Sequence, residues 1–224
     1  MKILDVSSGR GTQALYYAKT FGVNVTGIDI SPDMIKTATM AAKENGLTEQ
    51  VNFIEGDSQN LPFGANLFDA VINECAVGIP DDSQKVLDEM VRVVKPGGAI
   101  AIHESTWKKT IPKNEKEEIS ERYGTTPLEF DEWIAMLKKA GTTNIISEFD
   151  RWSKPEMFWN IRKDRKVNSF KSVMTTSEKL KTACRICKIY GIKGVIKVFQ
   201  NEKIFYKTIL EGKLGYALFK GIKG

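Results

Sequence analysis

Along the first 150 positions, apolar residues recur in two alternating rhythms. Short runs of strand character, KILDVS (2–7), VNVTGID (23–29), VNFIEGD (51–57), FDAVINE (68–74) and GAIAIHES (98–105), are separated by stretches with helical spacing. Helices are predicted from about Thr12 to Phe21, through SPDMIKTATMAAKENG, and from about Asp82 to Val94. In the second of these, Ser31 suits the N-cap, Pro32 the first turn and Gly46 the C-terminal stop. The third runs into KPGG, which reads as a turn that stops the helix and opens a strand. Such alternation with short connections implies a parallel sheet covered by helices on both faces. Right-handed crossovers leave few topologies, and ligands then bind at the carboxyl ends of the strands.

Farther on, PLEFDEWIAMLKKAG (127–141) has the pattern of an amphipathic helix with Leu128, Trp133, Ile134 and Leu137 as core positions, and TNIISEFD follows as a strand. After Trp152 the strand alternation gives way to basic segments of helical character, and LGYALFKGIK (214–223) closes the chain as a strand. Residues 153–213 are therefore expected to be a helical insertion in a core made of 1–152 and 214–224.

Charge sharpens that division. The chain of 224 residues carries +5 overall, but 153–213 hold 15 Lys+Arg against 5 Asp+Glu, a net +10, while 1–152 carry −7. An acidic body with a basic insert points either to an anionic partner or to a solvated lysine face. At 42% hydrophobic the chain can build the core of one domain with a large insertion. No apolar run approaches membrane-spanning length and the start lacks the form of a signal peptide, so a cytoplasmic location is expected. Three cysteines make no disulfide framework, which suits a reducing compartment. Cys184-x-x-Cys187 is only half a zinc site, and both cysteines fall on the apolar side of the predicted helix, so packing is expected there and no metal.

The candidate chemistry begins at DVSSGRGTQA (5–14). Gly9, Gly11 and Ala14 match G-x-G-x-x-A between a strand and a helix, and Asp29 ends the next strand, 20 residues after Gly9. Glycines let the backbone turn tightly and approach a ligand, and a carboxylate at the second strand end can grip ribose hydroxyls. That much fits nicotinamide or flavin enzymes as well as methyltransferases. Three features separate them: Asp5 inside the first strand, Asp57 in EGDSQNLPF (55–63) at the end of the third, and an acidic amphipathic helix joined to a strand through Pro-Gly-Gly in LDEMVRVVKPGGAIAIHES. A buried carboxylate such as Asp5 must find hydrogen-bond partners, which an apolar first strand would not require.

Taken in order, these five motifs resemble the class I S-adenosylmethionine-dependent methyltransferases, in particular the small-molecule branch of quinone and sterol enzymes, over about residues 2–150 and the last strand. The resemblance implies a doubly wound, Rossmann-like α/β fold with seven strands, the last antiparallel. It also implies roles. Ser7, Gly9 and Gly11 would pass under the methionine part of the cofactor, with Asp5 orienting the loop or the ammonium. Asp29 would bind the ribose with Ile30 against the adenine, Asp57 would meet the adenine amine with Ser58 beside it, and Asn73 would lie near the reactive methyl. Ser7 stands where the family's pattern has glycine, and it can hold the turn if its φ stays negative. The family usually places helices ahead of the first strand, and the insertion is the expected substitute for that cover.

Methyl transfer from a sulfonium needs alignment and dryness, and a base only if the acceptor must lose a proton. Candidate bases are Glu74 after the fourth strand and His103 or Glu104 at the end of the fifth; Cys75 is expected to line the pocket rather than to attack. S-adenosylhomocysteine would be the product. The acceptor is expected to be small and apolar or lipid-like, and the basic insertion could lie on an anionic membrane surface. WNIRKDRK (159–166) combines aromatic and basic groups, but no nucleic-acid recognition motif accompanies it. Two alternatives stand beside this reading: a nicotinamide-dependent oxidoreductase, and a non-catalytic methyltransferase-like shell that binds a membrane or partner.

Overall fold

The structure, a computed structural model, describes residues 1–149 and 176–224. The alternation read from the sequence becomes β1 (Lys2–Val6), α1 (Thr12–Phe21), β2 (Asn24–Asp29), α2 (Pro32–Glu44), β3 (Val51–Glu55), β4 (Phe68–Glu74), α3 (Ser83–Val93) and β5 (Val94–Trp107). Then come α4 (Lys113–Tyr123), β6 (Leu128–Glu129), α5 (Phe130–Lys139), β7 (Thr142–Phe149), α6 (Thr176–Leu210) and β8 (Leu214–Lys223). The strands run in the order β3-β2-β1-β4-β5-β8-β7, with β6 paired to β5 off that path. β1 pairs in parallel with both β2 and β4, and the chain order reverses between β1 and β4. The C-terminal strands are antiparallel, as the fold class requires.

The chain divides into two compact units, one of 1–105, 128–148 and 217–224, the other of 106–127 and 149–216. In the first, the period of two along β1 sends Ile3 into a cluster with Ala14, Ala18, Ala38 and Phe53 under α1 and α2. Leu4 and Val6 point the other way, into a larger cluster with Leu87, Met90, Trp133 and Phe219. Asp5 shares the face of Ile3, so a carboxyl is carried into the layer beneath α1. Trp133 is fully buried and its Nε1–H donates to the Ser105 carbonyl at 3.2 Å, so truncating it to alanine would cost about 3–5 kcal/mol. In the second unit, Trp107, Ile119, Ile209 and Leu214 form a small cluster of their own.

The acidic helix motif has a structural task. Arg92 on α3 pairs with Glu89 at 2.6 Å and donates to the carbonyls of Phe63 and Leu61, while Glu89 accepts from the Leu61 amide. The two side chains pin the NLPF turn to α3 and so fix the exit of the third strand's loop.

Two expectations are corrected. KPGG is part of β5 rather than a free turn: the pairing jumps from Phe68↔Val94 to Ala70↔Ala99, a bulge that Gly97 absorbs at φ 71. Gly98 passes so close to the Asp69 carbonyl that a Cβ would stand 2.9 Å from it. Cys184 and Cys187 are both exposed on α6, not packed, and Leu180 is 66% exposed beside them. α6 is also broken at Gly191 (φ 66, ψ −175), so its two halves do not share one continuous apolar stripe. WNIRKDRK lies outside the described residues. Among those described, no helix is long and apolar enough to cross a membrane.

Candidate active site

The carboxyl ends of β1, β2, β3 and β4 converge on a cleft of about 390 Å³ whose walls include Ser7, Asp29, Ile30, Asp57, Ser58 and Ala76. Five of the residues singled out in the sequence therefore line one cavity. Its other walls, Gly56, Gln59, Ile79, Pro80 and Asp81, come from the loops after β3 and β4 and were not singled out. Gly56 could have been flagged, since EGD places it between a strand end and a candidate carboxylate. The 76–81 loop carries no such signal.

Asp29 closes the glycine loop onto β2. Its Oδ2 accepts from the Gly9 amide at 2.8 Å and its Oδ1 from the Ser31 amide at 2.9 Å. Each oxygen keeps a second lone pair for a ligand hydroxyl. The glycines divide the labour. Gly11, at φ 74, begins α1, and a Cβ there would overlap the Phe53 ring, so its absence lets α1 settle on the sheet. Gly9, at φ 53, has nothing within 4 Å of where a Cβ would stand, so its backbone is bare toward open space.

Ser7 adopts φ 58, contrary to the expectation of a negative value. The loop demands the left-handed conformation whatever residue occupies it, and serine accepts a strain of about 1–2 kcal/mol. Cys75, at the end of the neighbouring strand β4, does the same at φ 57. It is exposed and is not among the cleft's walls, so it is not the pocket-lining residue expected.

Asn73 ties these two strand ends together. Its Nδ2 donates to the Val6 carbonyl at 2.9 Å and its Oδ1 accepts from the Ala76 amide at 3.1 Å, and the residue is 3% exposed. Its amide is engaged by the protein, so it positions the two loops. Glu104 acts similarly from β5. Buried to 1% exposure, it accepts from the Val77 amide at 2.6 Å and from the amides of Ala76, Gly78 and Ser105. Burial pushes its carboxyl up to about 7, and the backbone donors oppose that rise. A carboxylate held inside such a ring of amides is a clamp for the 76–78 loop rather than a base open to an acceptor.

Asp5 is the electrostatic centre of the site. It is 3% exposed, the Ala14 amide donates to it, and its Oδ2 has no hydrogen-bond partner among the described residues. Burial, then the charges of Glu74 and Asp29, push it up to about 7. The same surroundings raise the Tyr17 phenol, through burial first and then Glu74 and Asp5. Glu74 and His103 are register partners across β4 and β5, with Glu74 Oε1 4.0 Å from His103 Nδ1.

Residues 3–98, which include all of these except His103 and Glu104, match the family described as a methyltransferase domain. Over that stretch the chain is similar to methyltransferase domains. Norajmaline N-methyltransferase of Rauvolfia serpentina is 38% identical over 100 residues, which is 45% of this chain and 34% of that protein. The chain spans between about a quarter and three fifths of the length of the curated relatives it matches. Among solved structures, a putative sarcosine dimethylglycine methyltransferase from Galdieria sulphuraria superposes with a TM-score of 0.77 at 22% identity, over 100% of this chain and 77% of that one. Phosphoethanolamine N-methyltransferase 2 of Haemonchus contortus, in complex with S-adenosyl-L-methionine, gives 0.75 at 20% identity over 100% and 48%. Both superpositions cover the whole chain, so the likeness is one of fold.

Proposed function

We propose that the domain binds S-adenosylmethionine in the cleft and transfers its methyl group to a small acceptor, releasing S-adenosylhomocysteine. The observation that carries this reading is the sign of the cleft. Asp29, Asp57 and Asp81 line it, Asp5 lies buried at the end of β1, and among the described residues no Lys or Arg lines its walls. A cofactor with a sulfonium and an ammonium against one carboxylate is attracted there, whereas a dinucleotide would bring two phosphate charges against the same carboxylates. The residues present fit the cofactor. Asp5 offers a buried oxygen without a partner among the described residues, and Gly9 leaves room where a side chain would intrude.

Asp29 would hold the ribose hydroxyls. Ile30, 70% exposed, would cover the adenine, and Asp57 and Ser58 would meet its amine. Asp57 is preorganised for this, because its Oδ1 already accepts from the Gln59 amide at 2.8 Å. Bound cofactor supplies an activated methyl group. The chain supplies alignment and exclusion of water, with Asn73 and Glu104 fixing the loop that carries Ala76 and Ile79. Where an acceptor must lose a proton, Glu74 at the end of β4 and His103, its register partner on β5, would take it. Ile79, 58% exposed on the cleft wall, favours an apolar or lipid-like acceptor. On α6, exposed Leu180, Tyr190, Ile192 and Ile196 lie among Lys188, Lys193 and Lys197, a combination suited to an anionic membrane surface.

Calorimetric titration with S-adenosylmethionine and S-adenosylhomocysteine tests the reading, with Asp29→Ala as control. Absence of heat from the wild-type protein with both ligands would sink it.

A further inference from the structure

The parallel register that sets Glu74 opposite His103 also dictates what the next residue does. Cys75 leaves β4 in the left-handed conformation and donates its amide to the His103 carbonyl at 2.7 Å. This turn brings Cys75 Sγ to 3.6 Å from His103 Nδ1, the nitrogen that Glu74 Oε1 approaches to 4.0 Å. The thiol is exposed to solvent, while the side chain of His103 is only 19% exposed. A structural cysteine is normally buried and inert; an exposed thiol beside an imidazole is the arrangement in which the thiolate is stabilised.

We propose that Cys75 and His103 form a reactive thiol site beside the cofactor cleft, and that its reaction partner is a low-molecular-weight disulfide. The thiol proton passes to His103, and the Cys75 thiolate attacks one sulfur of the disulfide. One S–S bond breaks, one forms between Cys75 and that sulfur, and the departing thiolate takes the proton from His103. No electrons are gained or lost overall, and excess thiol reverses the step.

The site is coupled to the cleft through one residue. Ala76 follows Cys75, lines the cleft, and has its amide held by Asn73, whose other end holds the Val6 carbonyl before Ser7. A peptide-sized adduct on Cys75 Sγ would stand one residue from the cleft wall and strain the tie between the two loops, so cofactor binding would be switched off by modification. This consequence rests on the cofactor reading above; the thiol site itself does not.

The test uses the full chain and glutathione disulfide at neutral pH, with mixed disulfide at each cysteine followed by peptide mass spectrometry. Cys184 and Cys187, both exposed, are internal references. Cys75 is expected to react about tenfold faster than either, and His103→Asn to bring it into their range. His103→Gln serves where His103→Asn fails to give a native circular dichroism spectrum. Cys75 reacting no faster than the references, or keeping its rate in a folded His103 variant, overturns the site. Modified protein is then titrated with S-adenosylhomocysteine. A loss of affinity of about tenfold or more, reversed by dithiothreitol and not seen when Cys75→Ser is treated alike, supports the switch. Unchanged affinity after modification overturns it. If the untreated protein binds no S-adenosylhomocysteine, the cofactor reading has failed instead, and the labelling rates alone decide the thiol site.

Discussion

Replacing Asp5 by asparagine should make the cofactor-free protein more stable at alkaline pH while weakening cofactor binding. Asp5 moves from 3.8 to about 7 on folding because burial and the nearby charges of Glu74 and Asp29 oppose its ionisation. An acid whose value rises on folding favours the native state when protonated. Its contribution is whole below 3.8 and is lost as pH climbs through 7. At about 1.4 kcal/mol per pH unit, the full span is about 4 kcal/mol, and roughly 3 kcal/mol of it falls between about pH 5 and pH 8.5. Asparagine has the same shape, keeps an acceptor for the Ala14 amide and does not titrate. The wild type should therefore lose about 3 kcal/mol more than Asp5→Asn between those two conditions, a difference in Tm of about 6–12 °C for a chain of this size. Glu104 titrates in the same window, but it is present in both proteins and cancels in the comparison. Thermal unfolding of both proteins at the two pH values, without ligand, gives the measurement. Parallel pH dependences would refute the reasoning, because they would mean that Asp5 is ionised at no cost and cannot be poised for a cation.

The other predictions follow from the same geometry. Affinity for S-adenosylmethionine should fall about tenfold from pH 8 to pH 6 as Asp5 takes up its proton, and calorimetry in two buffers of different ionisation enthalpy should show proton release on binding. Gly11→Ala should destabilise the fold by about 2–4 kcal/mol through overlap with Phe53 and its left-handed φ, whereas Gly9→Ala should cost about 1 kcal/mol of stability yet abolish detectable cofactor binding; chemical denaturation and titration separate the two. Ser7→Gly should leave stability unchanged or raise it by up to about 1 kcal/mol, relief of φ 58 being partly offset by a more flexible unfolded chain, and a binding loss beyond tenfold would show that the hydroxyl holds the ligand. Cosedimentation with phosphatidylserine vesicles should weaken in high salt and in Ile192→Glu, while equal binding to neutral vesicles would exclude a charge-led contact.

The candidate site was legible where it depends on strand ends. Period-two runs fix where β1, β2 and β3 stop, so Asp29 and Asp57 could be placed at a shared edge without knowing any contact. Burial of Asp5 was legible too, since it lies inside an apolar run. What the sequence hid was the way loops return. Nothing in NECAVG announces that Asn73 spends its amide on two backbone groups, or that Glu104, 31 residues later, receives the amides of that loop. α4 was passed over for a different reason. KNEKEEISERY holds only Ile119 and Tyr123 as apolar positions, too few for a stripe to detect; ion pairs such as Glu118–Arg122 and Glu115–Lys213 accompany it. KPGG misled because a glycine at positive φ serves a bulge as well as it serves a turn.

Ser7 and Cys75 connect these observations. Two non-glycine residues in the left-handed region, each costing about 1–3 kcal/mol, persist at the ends of adjacent strands only because other bonds fix the backbone around them. For Ser7 these are the Ser8 amide on the Ile28 carbonyl and the Gly9 amide on Asp29; for Cys75 they are its own amide on the His103 carbonyl and the Ala76 amide on Asn73. The holding groups come from β2, β4 and β5, so the cleft's shape is set by the sheet rather than by the loops that line it. A ligand then meets loops already in place, and its binding energy is not spent on ordering them. The same arrangement makes the site sensitive to a change at Cys75, because a rigid wall cannot yield to an added group without releasing one of those bonds.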